Sequence, residues 1–582
     1  MAERSGAAAA VVALAVAAVA CGPGERAADL ILTNGRVYTL AWGEPAPDGT
    51  PAEDAPLGDD GGWGPDAGAV AIRDDTIAFV GGADGAEAYR GPATRVVDLG
   101  GATVLPGLVD SHTHVDNLGT TLVQVDLRGV ETAGEAVRRV AARAEDVPEG
   151  GWIVGWGWDE GAWAGNYPSW DLLNELVPDH PVVLRSLHSF AVWGNRLAFE
   201  RAGIDRSTPA PTGGEIRKDG RGRLTGILLN RATGLLTGAI PDPDLEERKR
   251  RLLAGLDEMA RSGYVSVHEA GTDSPWLEAY ESLDSDGALP LRVYVMLSAR
   301  DTALLARWLD RGPRAAPEEM LRVRSVKAFY DGALGSRGAR LLEPYSDRPG
   351  HRGVSGESYG FDVEWAARMI RGGFQLAVHA IGTAGNRETL DFFEAVVGAD
   401  PTLRALRHRI EHAQVVHPDD VPRFEELELI ASMEPPHAVE DKAWAEERLG
   451  PQRIRWAYAW RTLREAGVEL TLNSDLPGSD WDVFYGLHAA ITRRDEEMEP
   501  PGGWYPEESL TPEEAVRGYT SWSAHAAFVE DEAGILEQGR WADVTVIDTD
   551  PFVVGSSEEP GRLLEGTVLM TIVGGKVVFD GR

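Results

Sequence analysis

His112 and His114 stand one residue apart at the end of an apolar run, Val104 to Val109, in the stretch Asp110-Ser111-His112-Thr113-His114. On a strand, residues i and i+2 share a face, so both imidazoles can reach one cation. Imidazole is a common zinc ligand, and this spacing points to metal chemistry. Three further runs deliver a polar side chain where a strand gives way to a loop: QLAVHAIG carries His379, RIEHAQ carries His412, and Asp475 follows ELTLNS. Taken singly, each reads more readily as a satisfied polar residue at a barrel rim. Together they describe a ligand set, because the C-terminal ends of barrel strands are where such folds assemble their sites.

Lys327 adds a different signal. It sits inside VRSVKAFY, where a buried ammonium is costly, and Lys218, Lys249, Lys442 and Lys576 are the only other lysines in an arginine-rich chain. A lysine kept within a strand suggests chemistry arginine cannot supply, since a buried amine can lose its proton and react. The competing account is a side chain that snorkels to the rim or pairs with Asp331. Cys21 is the only cysteine, so a metal in the body of the protein must be held by histidines, carboxylates or a modified lysine.

The elements that must position these groups alternate short Val/Ile/Leu-rich runs with amphipathic stretches, the pattern of a parallel α/β architecture. Eight runs lie near Leu108–His112, Tyr264–His268, Leu291–Leu297, Val323–Tyr330, Phe374–His379, Arg409–His412, Leu429–Met433 and Glu469–Ser474. They predict a TIM (β/α)8 barrel over residues 106–536, and the long gap after the first run predicts an insertion over about 124–243. That insertion holds Trp152, Trp156, Trp158, Trp163, Trp170 and Trp193. The runs around Asp29–Leu40 and Gly68–Gly81, and those at Ala542–Asp548 and Gly566–Phe579, alternate apolar and polar residues around turn signals. They predict one small β-sandwich built from both termini, residues 27–105 and 537–582. Between the first two, Gly43–Asp66 is rich in Pro, Gly and Asp and reads as a mobile surface loop that adds little to a core.

With 93 acidic against 56 basic residues and a formal charge of −37, the 582-residue chain is expected to bind no nucleic acid, which requires clustered Lys and Arg. Ala7 to Ala20 is apolar and shorter than the roughly 20 residues of a spanning helix. It reads as a signal-peptide core, and Ala18-Val19-Ala20-Cys21-Gly22 resembles a lipobox. Residues 1–21 are thus expected to be a leader, with a lipid anchor on Cys21 and a bacterial cell-envelope location. The alternative is a frayed N-terminus on a cytoplasmic protein. Oligomeric state is left open, a homo-oligomer included.

The stretches VLPGLVDSHTH, VKAFYDGALGSRGARLLEPY, AVHAIGTAGNRETLD, RIEHAQ, MEPPH to ERLGPQR, AYAWRTL, NSDLPGSD and LEQGRWADVTVIDTDP resemble the metal-dependent amidohydrolase superfamily. The branch they are most similar to includes N-substituted formamide deformylases, and the likeness spans nearly the whole chain after the leader. What it implies is one or two divalent ions, zinc foremost, held by His112, His114, His379 and His412. It further implies a carbon dioxide-derived carbamate on Lys327, and Asp475 as both metal ligand and catalytic base. The implied reaction is hydrolysis of a C–N bond, an N-formyl or N-acyl amide, in a small-molecule substrate. Departures fall on the substrate side: Ser186-Leu187-His188 before Trp193, Glu434-Pro435, and Asn473 before Ser474-Asp475. His188, Trp158, Arg337 and His437 are the candidate substrate contacts, with the Trp-rich insertion as a lid over an apolar or aromatic ligand. Other readings stay open: attack on an ester, lactone or ring carbon, or a catalytically silent surface-anchored binding lipoprotein.

Overall fold

The computed structural model describes residues 27–159, 163, 167–186 and 190–582; Cys21 and His188 lie outside them. Eight parallel strands form the centre: β1 (Leu108–Thr113), β2 (Tyr264–Thr272), β3 (Arg292–Ser298), β4 (Leu321–Phe329), β5 (Gln375–Ala380), β6 (Arg409–His412), β7 (Ile430–Met433) and β8 (Glu469–Leu472). Each of the eight apolar runs is one of these strands, in chain order. Their outer faces are buried under helices, as in Leu245–Arg261, whose Leu252, Leu256, Met259 and Ala260 form one apolar stripe. The ring closes where Asp475 N–H donates to His112 O (3.1 Å) and His114 N–H to Leu476 O (3.1 Å). The fold is a nearly closed TIM barrel, and the closing seam is itself built from candidate site residues.

The barrel interior is polar just beneath its C-terminal mouth. Arg409, fully buried on β6, donates to Ser111 O on β1 (2.6 Å), to Ser432 Oγ on β7 (3.0 Å) and to His268 Nδ1 on β2 (3.1 Å). A buried guanidinium satisfied on three strands fixes their relative positions, since leaving any of its donors unpaired would be costly.

Two further sheets form from the chain ends. Thr103–Pro106 pairs antiparallel with Val544–Ile547, which leads to Val568–Val573 and Lys576–Asp580. A four-stranded sheet of Leu30–Thr33, Ala69–Arg73, Thr76–Gly81 and Arg95–Asp98 packs on it through Leu32, Val70, Ile72, Val97, Val544 and Ile572. The segment Gly43–Asp66 is not the coreless loop its composition suggested. Trp63 packs 5.0 Å from the Phe552 ring, and Glu44 accepts from Arg517 and from the Trp522 indole, each at 2.9 Å.

After β1 the chain runs into helix Val115–Leu122, which crosses Leu245–Arg261 at a glycine contact: a Cβ on Gly119 would stand 1.8 Å from Arg251 O. Between these helices lies a separate six-stranded sheet, ordered Gly214–Lys218, Leu224–Asn230, Ala191–Gly194, Val182–Ser186, Ile153–Trp158, Val125–Asp126. Trp158, Trp163 and Trp193 fill its core, with ring centroids 5.5 to 6.4 Å apart. Trp158 is fully buried and donates its indole N–H to Leu184 O at 3.0 Å. It therefore stabilises the insertion and has no surface for a ligand, contrary to the expectation of a substrate contact.

Candidate metal centre

Six of the residues singled out in the sequence converge at the barrel mouth. The ring of His112 lies 5.5 Å from that of His114 and 5.2 Å from that of His412, and His379 is 4.4 Å from His412 between centroids. Asp475 Oδ1 stands 3.3 Å from His114 Nε2 and 3.6 Å from His112 Nε2. Lys327 Nζ, on β4, is 2.8 Å from the same His112 Nε2. His437, on helix Pro435–Asp441, joins from the rim: its ring is stacked 6.1 Å from His412 and its Nε2 is 3.9 Å from Asp475 Oδ2.

Local backbone geometry explains part of this convergence. Arg409 and Glu411 point into the barrel, so strict alternation would send Ile410 and His412 outward. Ile410 does pack outward in the hydrophobic core. His412, however, adopts φ 73°, and Asp475 adopts φ 52°. Left-handed backbone at non-glycine residues costs of the order of 1–3 kcal/mol and persists where surrounding structure over-determines it. Here it turns both side chains back over the cluster.

The histidines are oriented from behind. His112 Nδ1–H donates to Glu411 Oε2 at 2.5 Å, which leaves Nε2 as an acceptor facing the cluster. Glu411 is in turn held by Arg409, with Nε 2.8 Å from Oε1. His412 Nδ1 lies 3.1 Å from Glu434 Oε2. Glu411 did not figure among the sequence candidates for the site and Glu434 figured only as a substrate-side departure, although two charged residues inside one short strand, Arg409 and Glu411, are a signal of an internal ion pair. Asp110 is bound by Ser474 Oγ at 2.6 Å. Asp331 accepts the backbone N–H groups of Arg340, Ile381 and Gly382 at 2.8 to 2.9 Å. It is therefore engaged by the backbone, and the Lys327 amine faces His112 instead.

Burial dominates the electrostatics. It lowers the Lys327 amine and brings the His112 imidazole down to about 4, with the neighbouring Lys327 charge contributing to the second. It also lowers His379 strongly. Burial alone would raise Asp475, but the hydrogen bond from His114 and the charges of His112 and His412 outweigh it and hold the carboxyl well below its usual range. Burial thus favours neutral imidazoles at His112 and His379 beside an ionised Asp475, whereas at His412 burial is outweighed by the Glu434 carboxylate, which raises that ring. Neutral rings and an ionised carboxylate are the states that metal ligation requires. Donor atoms of His112, His114 and Asp475 lie within 4.8 Å of one another, as do those of His112, His412 and Glu434, and those of His412, His437 and Asp475. His379 Nε2 is buried without a hydrogen-bond partner among the described residues. An orphaned buried acceptor beside converging lone pairs fits a divalent cation.

Arg337 lies in the loop after β4. Its guanidinium is committed to Asp347, at 2.6 and 3.2 Å, and Arg448 shares that carboxylate. It forms a loop ion pair there. Asn473 donates to Ser432 Oγ at 2.9 Å and so ties β8 to β7.

A TIM barrel with histidines and an aspartate gathered at its C-terminal mouth defines a metal-dependent hydrolase architecture. The profile of the amidohydrolase family matches residues 95–579, and the chain belongs to that family. Protein LONG AFTER FAR-RED 3 of Arabidopsis thaliana is 30% identical over 564 residues, covering 95% of this chain and 92% of its own. The N-substituted formamide deformylase of Arthrobacter pascens is 27% identical over 531 residues, covering 88% of this chain and 95% of its own. Among solved structures, an uncharacterized metal-dependent hydrolase from Pyrococcus furiosus superposes with a TM-score of 0.70 at 28% identity, covering 90% of this chain and 99% of that one. The protein is a metal-dependent hydrolase of the amidohydrolase family.

Proposed function

We propose that the protein hydrolyses the C–N bond of a small amide, of the N-formyl or N-acyl kind, using zinc. The observation that carries this reading is the position of Asp475, whose two carboxylate oxygens face His114 and His112 on one side and His437 on the other. His112, His114, His379, His412 and Asp475 would hold one or two ions. The buried amine of Lys327 would add to carbon dioxide, lose a proton and contribute the resulting carbamate as a further ligand. A bound zinc ion supplies Lewis acidity, polarising a carbonyl and bringing the pKa of water to near 7.

The residues of the chain perform the proton transfers and the positioning. Asp475 accepts the proton of the attacking water as the oxygen–carbon bond forms, then returns it to the amide nitrogen as the carbon–nitrogen bond breaks. His437, whose ring stands beside Asp475, would hydrogen-bond the substrate there, and Glu411 keeps His112 in the tautomer that faces the reacting groups. The likeness to an N-substituted formamide deformylase over most of the chain supports the amide reading in preference to esters.

The test is elemental analysis of the purified full chain with an activity screen over N-formyl, N-acyl and ester substrates, with and without chelator. The Asp475→Asn protein is measured alongside. The expected result is one to two zinc-class ions per chain, chelator-sensitive amide cleavage, and an Asp475→Asn protein that keeps metal while turnover falls by about 10²–10⁴-fold. A fully active Asp475→Asn protein would remove the aspartate from the mechanism, and preferential ester cleavage would replace the amide assignment.

A further inference from the structure

Arg300 stands at the C-terminal end of β3, on the same mouth of the barrel as the metal centre. The backbone there is tied to β4 by Ala299 N–H donating to Lys327 O at 2.9 Å. Its guanidinium lies 4.3 Å from the centroid of Phe329 and 5.8 Å from that of Tyr359. Phe329 is two residues beyond Lys327 on β4 and shares its inward face. The Phe329 ring is 5.1 Å from Lys327 Nζ and 5.5 Å from the His379 ring. One aromatic side chain therefore connects the exposed arginine to two members of the metal cluster.

Arg300 stands at the barrel mouth without a counter-charge of its own among the described residues. Acidic residues outnumber basic ones by 93 to 56 in the chain, and other arginines of the neighbouring loops are paired: Arg337 and Arg448 with Asp347, Arg340 with Glu388. Arg300 makes no ion pair or hydrogen bond among the described residues, although Asp301 adjoins it. The Asp301 carboxylate is used instead to cap helix Thr302–Arg311, accepting from Leu304 N–H (2.9 Å) and Ser274 N–H (3.1 Å). A cation–π contact at an exposed site is worth about 0.5–1 kcal/mol and leaves the guanidinium N–H groups available in the plane of the fork.

We propose that Arg300 is the receptor for an anionic group of the substrate and that the natural substrate is a carboxylate-bearing amide. The carboxylate accepts a bidentate pair of hydrogen bonds from Arg300, the part of the molecule between acid and amide packs on Phe329, and the scissile carbonyl reaches the metal centre. The span from acid to carbonyl is set by one aromatic ring. In a strongly acidic protein an uncompensated cation at the mouth also draws an anionic substrate to the site against the overall charge. This inference rests on the amide hydrolase reading given above, and its test separates the two.

The zinc-loaded full chain is compared with Arg300→Met and Arg300→Lys proteins on N-benzylformamide and its para-carboxylate, by steady-state kinetics and by calorimetric binding. The wild type is expected to favour the para-carboxylate through a lower KM. Arg300→Met is expected to reduce that preference by about ten- to hundred-fold, almost wholly in KM, the scale of a charge-assisted hydrogen bond, and Arg300→Lys to restore part of it. A wild type that binds and cleaves the two compounds alike, or binds neither, overturns the proposal, as does an Arg300→Met protein that retains the preference. If the wild type binds the para-carboxylate more tightly, loses that on Arg300→Met and cleaves neither amide, the anion receptor stands and the amide reaction falls.

Discussion

The amine of Lys327 lies 2.8 Å from Nε2 of His112, while the nearby carboxylate of Asp331 is saturated by three backbone N–H groups. Lys327 is thus kept within a barrel strand with an imidazole as its neighbour and no carboxylate bonded to its amine among the described residues.

Lys327→Ala should lower zinc affinity by at least about tenfold, and Lys327→Arg should do the same, because guanidinium stays charged and forms no carbamate. Metal content after dialysis is the measurement. Full retention of metal in both proteins would leave the amine outside the ligand set.

Glu411 orients His112 and is clamped by Arg409. Glu411→Gln keeps the shape but removes the charge that fixes the imidazole tautomer and neutralises the guanidinium. The expected outcome is a 10–100-fold loss of metal affinity with a lowered unfolding midpoint, because a buried arginine is left without its ion pair. A loss of stability with unchanged metal affinity would assign Glu411 to folding alone.

These two carboxylate relationships mark the limit of what the sequence disclosed. The eight barrel strands and His112, His114, His379, His412 and Asp475 were legible because an apolar or mixed run gives way there to a polar side chain, and Lys327 because a lysine stands inside a strand of an arginine-rich chain. That Glu411 and Glu434 orient His112 and His412 was not, since the partners come from other strands and no local period encodes a contact across a barrel. Alternation even misdirects at β6, where it places His412 with Ile410; only the left-handed turn at His412 brings the ring inward. The tryptophans misled for a related reason. Their number in the insertion suggested a lid, but a second sheet there needs its own core, and Trp158, Trp163 and Trp193 supply it.

The barrel and the terminal sheets are joined by a buried ion pair, Arg292 Nε to Asp543 Oδ2 at 2.7 Å, with both side chains about 5% exposed and the guanidinium 3.7 Å from the Trp541 ring centroid. Asp543→Ala should destabilise the protein by about 3–5 kcal/mol, because it strands a buried cation, whereas Arg292→Met with Asp543→Leu should recover most of the loss. Denaturant unfolding of the three proteins decides this. A double substitution no better than Asp543→Ala would mean that the pair's hydrogen bonds to the connecting backbone matter more than its charge.

His525 supplies a pH dependence that is remote from the metal. Its Nε2 is 3.0 Å from Glu469 Oε2 and its Nδ1 is 3.6 Å from Glu530 Oε1. Burial opposes the charged ring, yet the bonds to Glu469 and Glu530 prevail and raise the imidazole from 6.5 to about 9. The folded state then binds a proton more tightly than the unfolded chain between those values. Its contribution to stability is complete below about pH 6.5 and is lost as the pH rises through about 9, so unfolding free energy should decline across that window. Glu530 shifts the other way: burial resists its ionisation, but His525 and Arg407 outweigh that and hold it well below the usual carboxylate range, so its share is lost only in acid. Denaturant unfolding of wild type and His525→Gln as a function of pH isolates the histidine. The two stabilities should differ most at neutral pH and below, and converge above about pH 9. A wild-type decline that persists unchanged in His525→Gln would assign the alkaline loss to another group.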